Sequence, residues 1–283
     1  MRQIKKIHQA AYEPIADLVT YRVLPTHSIQ YIDPFLFLNH HGPQVYPQNN
    51  RGLPFGPHPH RGFETVTFIL EGDIAHRDSH GNEGVILPGG IQWMTAGKGL
   101  IHSEISSDAF KKEGGKLEIL QLWVNLPAKY KMVDPFYKDL QKEDIPAYIS
   151  ADGKVDVQII SGEWEGTRAA YKPLTDISIF NITLQPGGKF STSVAPERNI
   201  FFYVIAGKVT VNGAVAERFQ LVEFENTGNE ISVEATEEAK ILFGHAVPFN
   251  EPVVSQGPFV MNTQQEIMEA YNDYQQGKFG RFN

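Results

Sequence analysis

Phe63-Glu64-Thr65-Val66-Thr67-Phe68-Ile69-Leu70-Glu71-Gly72 falls, when the chain is slid along itself, on Arg198-Asn199-Ile200-Phe201-Phe202-Tyr203-Val204-Ile205-Ala206-Gly207. Each run is rich in β-branched and aromatic residues and stops at a glycine, the grammar of a strand entering a tight turn. A hairpin that recurs once in each half reads as a duplicated β-unit. In this register Ser193 stands where the first copy has His58, and Ala195 where it has His60. Only the first copy keeps its imidazoles.

The same punctuation organises the rest of the chain. Further strands are expected at 29–32, 65–70, 74–77, 84–87, 99–106 and 117–125. Turns at Glu71-Gly72-Asp73, His80-Gly81-Asn82 and Pro88-Gly89-Gly90 separate several of them. The second half gives strands at 155–161, 177–184, 199–205, 208–211, 219–224, 231–234 and 240–246. Many short strands with regular turns make the fold mainly all-β, of sandwich or barrel type. Asp134-Pro135 predicts a short helix with Phe136, Tyr137 and Leu140 as its buried stripe. That helix marks a boundary, so one barrel is expected over 1–136 and another over 137–283. Thr263-Gln264-Gln265-Glu266 is a capping box that opens a C-terminal helix, with Ile267, Met268, Tyr271 and Tyr274 inward and Gly277 as its stop.

Composition removes several chemistries. A chain of 283 residues suits two domains and can bury its own core. It has no cysteine, so disulfides, zinc fingers, iron–sulfur clusters and thiol nucleophiles are excluded together. Net charge is −8 and the pI is near 5.7, which argues against direct nucleic-acid binding. The apolar runs are too short to span a bilayer, and the basic start has no apolar segment behind it. A cytoplasmic protein without membrane attachment is the expectation, and a monomer. Phosphate-binding glycine loops, the GxSxG elbow and HExxH are all missing from the sequence.

Seven of the ten histidines lie between His40 and His102. The informative ones are His58-Pro59-His60 and His102-Ser103-Glu104. Side chains at i and i+2 of a strand share a face, so each triplet presents two ligands side by side. Two such strands facing each other make a cage of three imidazoles and a carboxylate. That set suits one divalent transition metal (iron, manganese, cobalt, nickel, copper or zinc) and leaves coordination positions open, unlike a closed structural zinc site. Glu64 is the rival carboxylate, able to ligate or to support a ligand from outside by its HxHxxxE spacing. His76 reads as a satisfied barrel histidine and His40-His41 as loop. His245 and Glu163 have no partner discernible in the sequence.

Gly52, His58, His60 and Glu64 fit the first cupin motif, although the glycine that follows, Gly72, comes one position late. The run from His58 to Thr67 and the run Gln92-Trp93-Met94-Thr95-Ala96-Gly97-Lys98-Gly99-Leu100-Ile101-His102-Ser103-Glu104 resemble the pirins. So do Leu120-Gln121-Leu122-Trp123-Val124-Asn125-Leu126-Pro127, Ile160-Ser161-Gly162-Glu163 and Phe259-Val260-Met261-Asn262-Thr263. The resemblance implies a bicupin of two stacked β-barrels, with iron, as Fe(II), held by His58, His60, His102 and Glu104. It also implies quercetin 2,3-dioxygenase activity on a flavonol and dioxygen. The expected catalytic base, which takes the proton of the flavonol hydroxyl, is Glu104. Some pirins regulate transcription instead, so a metal- or redox-sensing protein acting through a protein partner is the alternative expectation. A third is an enzyme acting on some other small enol or phenol.

Overall fold

The computed structural model describes residues 1–282. Its strands gather into two compact units, each built on the same pattern of a seven-stranded and a four-stranded sheet. In the histidine-bearing unit the larger sheet runs Phe136–Leu140, Ile91–Thr95, Phe63–Glu71, Gly115–Asn125, Phe35–Tyr46, Thr20–Leu24, Ala11–Tyr12. The smaller runs Phe55–His60, Leu100–Ile105, Ile74–Asp78, Glu83–Ile86. Ile69 and Ile119 of the larger sheet pack with Ile74 and Ile86 of the smaller in one core. Alternation along each strand supplies that inner face.

The second unit repeats the order position for position. Its larger sheet runs Ile4–Gln9, Gln220–Phe224, Asn199–Ala206, Ala239–Ala246, Ile177–Leu184, Val155–Ser161, Ala147–Ile149. Its smaller sheet runs Lys189–Ser193, Glu230–Ala235, Lys208–Val211, Ala214–Glu217. The strand registers agree with the sequence repeat. Thr65 pairs with Trp123, and its counterpart Ile200 pairs with His245. The interiors differ in chemistry. Where one unit pairs His76 with Glu104, the other pairs Val211 with Val233. Where one pairs Thr67 with Gln121, the other pairs Phe202 with Phe243. These four apolar residues are fully buried in a single core, so the second copy fills its interior and holds no ligand set there.

Several expectations are corrected. Phe136–Leu140 is a strand, pairing with Ile91–Thr95, and not a helix. Five residues are less than two helical turns and do not repay nucleation, whereas the open sheet edge offers backbone partners. It fills the edge position that Ile4–Gln9 holds in the second unit. Residues 29–32 form only isolated bridges, and the long strand nearby is Phe35–Tyr46. His40 and His41 lie within that strand, buried, where His40 Nε2 meets Glu118 Oε1 at 2.9 Å and His41 Nδ1 meets Thr20 Oγ1 at 2.9 Å. They are core histidines with partners and not a loop. The C-terminal helix is Gln264–Gln275 with the expected Thr263–Glu266 capping box, but it buries Ile267 and Ala270 and leaves Met268 and Tyr274 exposed.

Each unit gathers several stretches of chain and does not fall to one side of a cut after residue 136. The histidine-bearing unit holds Tyr12–Arg22, Leu36–Glu143 and the chain from Phe249 onward; the second holds Met1–Ala11, Val23–Phe35 and Asp144–Pro248. Backbone pairing is the cause. Ile4–Gln9 pairs with Gln220–Phe224, and Arg61 bridges to Phe259, so each chain end joins the unit built mainly from the other half. Among the described residues no helix is long and apolar enough to cross a membrane.

Candidate metal centre

Phe55–His60 and Leu100–Ile105 pair antiparallel with His58 opposite His102 and His60 opposite Leu100. Residues at i and i+2 share a face, so His58 and His60 point inward together and meet His102. Their ring centroids are 4.4 Å (His58–His102), 4.8 Å (His58–His60) and 5.0 Å (His60–His102) apart. One nitrogen from each ring lies within 4.8 Å of the other two. His60 and His102 are buried and His58 is half-buried.

Burial, reinforced by neighbouring imidazoles, holds His60 and His102 well below the ordinary histidine range. They are therefore neutral at physiological pH, the state in which a ring nitrogen offers a lone pair. The tautomers follow from the carbonyls. His58 Nδ1 lies 2.8 Å from Gly56 O and His60 Nδ1 3.4 Å from Pro258 O. A carbonyl only accepts, so each Nδ1 carries the proton and each Nε2 is left as the donor of electrons. His60 Nε2 and both ring nitrogens of His102 are buried without a hydrogen-bond partner among the described residues. An orphaned buried polar atom costs about 1–3 kcal/mol. One nitrogen from each of the three rings, close enough together to share an ion, fits a borderline divalent transition metal.

Glu104 lies beside this cluster of three histidines and is not one of the group whose ligand atoms all fall within 4.8 Å of one another. Its Oε2 is 4.0 Å from His102 Nε2, while Thr67 Oγ1 donates to Oε1 at 2.9 Å and Gln121 Nε2 to Oε2 at 2.6 Å. Burial raises its pKa above the usual carboxylate range, against the opposing pull of His58, Thr67 and Gln121. Glu64 does not reach the cluster. The backbone turns at Gly62, with φ +88°, and passes from the smaller sheet to the larger, so the parity that seemed to align Glu64 with His58 and His60 is broken. On Phe63–Glu71 it is Phe63, Thr65 and Thr67 that face the histidines, and Glu64 points to the opposite face. There Thr95 Oγ1 donates to Glu64 Oε1 at 2.6 Å, and burial pushes its pKa up to about 7. Glu64 therefore supports no ligand from outside.

Sequence reasoning missed the groups that come from other strands. Trp123 stands edge-on to His60 at 5.5 Å and stacks on Phe37 at 4.4 Å, and Phe63 packs against both His60 and Trp123. Lys131, fully buried, donates to Gly62 O at 2.8 Å and to Val260 O at 3.0 Å, which pins the turn beyond His60. His76 is buried as expected but is not satisfied. Neither of its nitrogens has a hydrogen-bond partner among the described residues, and its ring lies 5.7 Å from His102 and 4.4 Å from Tyr137. Strand alternation could have placed Gln121 and Trp123 on one face, but nothing local says which sheet they face.

The sequence matches the pirin family over residues 17–124 and the pirin C-terminal cupin domain over residues 179–280. It is 41% identical over 262 residues to a pirin-like protein of Caulobacter vibrioides, covering 91% of each chain. It is 36% identical over 281 residues to a pirin-like protein of Solanum lycopersicum, covering 98% of this chain and 92% of that one. Among solved structures it is similar to a quercetin 2,3-dioxygenase from Acinetobacter baumannii, with a TM-score of 0.92 and 35% identity over 99% of both chains.

Proposed function

The chain belongs to the pirin family, and on that premise we propose that it is a metal-dependent dioxygenase opening the ring of a flavonol or a related small enol or phenol. The observation that carries this reading is the convergence of three imidazoles, two of them buried and held neutral with unpartnered nitrogens, beside the aromatic wall of Phe37, Phe63 and Trp123. The likeness to a solved quercetin 2,3-dioxygenase supports it.

In this reading His58, His60, His102 and Glu104 hold one divalent metal, Fe(II) before manganese, nickel, cobalt, copper or zinc. When bound, the metal supplies Lewis acidity and a template for the two reactants. The chain's own residues do the rest. Glu104 accepts the proton of the substrate hydroxyl, and a carboxyl raised by burial is better matched to that task near neutral pH than an ordinary one. Thr67 and Gln121 fix the carboxylate so that it receives the proton at a defined place. Trp123 and Phe37, both partly exposed and stacked on each other, offer an apolar wall beside the histidines for the body of an aromatic substrate. A flavonol and dioxygen give a ring-opened ester and carbon monoxide, so the site needs no external reductant.

The test is aerobic turnover of quercetin by protein loaded with Fe(II), comparing the wild type with Glu104→Gln. At saturating metal the variant should refill its site yet lose about two to four orders of magnitude in rate, the usual worth of a general base. Absence of metal-dependent turnover of quercetin in the loaded wild type, across the metals named, sinks the flavonol reading and leaves an enzyme of another enol or phenol and the regulatory protein as the alternatives.

A further inference from the structure

A cavity of about 780 Å³ opens in the second unit, away from the histidine cluster. Its lining comes from one end of that unit's strands. His245 stands near the end of Ala239–Ala246, Ser193 ends Lys189–Ser193, Ile177 begins Ile177–Leu184, and Arg198 immediately precedes Asn199–Ala206. The repeat register gives these positions meaning. His245 occupies the place of Trp123, and Arg198 the place of Phe63. The second copy has thus exchanged ligands for apolar residues inside and aromatic residues for polar ones at the strand ends. The interior change serves packing. The polar pair packs as well, with the His245 ring 6.1 Å from Phe180 and 5.8 Å from Phe243, but it also brings hydrogen-bonding groups to the cavity wall.

Arg198 Nε donates to His245 Nδ1 at 2.8 Å, while its Nη1 and Nη2 hold Asp176 at 2.6 and 3.2 Å. Because Nδ1 accepts, the single proton of the neutral ring sits on Nε2. Burial, with Arg198 alongside, holds the His245 pKa down at about 3, so this tautomer persists across the physiological range. The Nε2–H makes no hydrogen bond among the described residues. The cavity's two carboxylates are already neutralised, Asp176 by Arg198 and Glu163 by Arg168 at 2.8 Å. Lys172 has no ion-pair partner among the described residues, which leaves one positive charge in excess. Ile177 and Val194, both buried, supply apolar wall, and the volume suits a small organic molecule.

We propose that this cavity binds a small organic monocarboxylate with an apolar body, its carboxylate received by the His245 Nε2–H and the Lys172 ammonium. The site is separate from the metal centre and does not depend on the reaction assigned there. The probe is para-fluorobenzoate, titrated into the metal-loaded full chain and followed by fluorine NMR linewidth, with para-fluorobenzamide as its uncharged twin. The wild type should bind benzoate saturably at millimolar concentration or below and should not bind the amide. Lys172→Met and His245→Phe should each weaken benzoate by about tenfold or more, the worth of one charge-assisted hydrogen bond. His58→Ala, which dismantles the metal centre, should leave the affinity unchanged and so separates this site from a carboxylate resting on the metal. Lys172 is exposed, so Lys172→Met tests the site even where His245→Phe disturbs the fold. No saturable binding by the wild type, equal binding of the amide, or loss in His58→Ala with retention in Lys172→Met overturns the proposal.

Discussion

Glu64→Gln separates the two carboxylates by stability and not by rate. Glu64 is fully buried, and its pKa is raised by that burial from the ordinary 4.5 to about 7. A raised folded pKa means the folded chain prefers the protonated acid. The stability this group contributes is complete below about pH 4.5 and is lost as pH rises through about 7. Raising this pKa from 4.5 to about 7 corresponds to about 3 kcal/mol, of which about 2 kcal/mol is lost between roughly pH 5.5 and 8.5. Glutamine resembles the protonated acid and does not titrate, so the variant lacks this slope. The assay is urea unfolding of wild type and variant, both fully metal-loaded, at several pH values across that window. Histidine titration affects both proteins and cancels in the difference. The stability gap should move in the variant's favour by about 2 kcal/mol toward alkaline pH, with metal content unchanged. Parallel curves would show that Glu64 is not buried as an acid. Loss of metal from Glu64→Gln at neutral pH would refute its placement on the far face of the sheet.

The remaining expectations concern the metal centre and its frame. Metal analysis of freshly purified protein should give close to one equivalent per chain, because the second unit fills the matching interior with Val211, Val233, Phe202 and Phe243; two tightly held equivalents would contradict that. His102→Ala should abolish metal retention while the circular dichroism spectrum stays native, since apolar cores and not a metal carry this fold; collapse of the spectrum would make the site structural. Lys131→Met should strip the donor from Gly62 O, Asn125 Oδ1 and Val260 O, leaving three buried acceptors unpaired. A cost of about 3–5 kcal/mol in urea unfolding and weaker metal retention are expected, and a neutral effect on both would show that the turn at Gly62 holds itself.

The fold was legible where the determinants are local. The hairpin at Phe63–Glu71 and its copy at Asn199–Ala206 are written in periodicity and turn glycines, and the observed registers agree with the alignment of the two runs. Phe136–Leu140 was not legible, because Asp134-Pro135 carries a helix-start signal while the deciding partner, Ile91–Thr95, lies forty residues earlier. The same holds for the chain ends. Nothing in Ile4–Gln9 says that its edge position belongs beside Gln220–Phe224.

The site divides along the same line. His58-Pro59-His60 is a local statement, since one strand's alternation puts both rings on one face, and the structure brings His102 to them. The choice of carboxylate is not local. HxHxxxE places Glu64 correctly only if the strand runs unbroken from His58, and the left-handed backbone at Gly62 breaks it. What distinguishes Glu104 is its company, Thr67 and Gln121 from two other strands, and neither residue type announces such a role in sequence. The duplicated unit makes the meaning of that company visible. Given the same backbone and no ligand to hold, the second copy carries Phe202 and Phe243 where the first has Thr67 and Gln121. A buried threonine beside a half-buried glutamine costs desolvation that two phenylalanines avoid. The pair's presence in the copy that keeps Glu104 and the histidines, and its absence from the other, supports by physical cost the proposed place of Glu104 beside them.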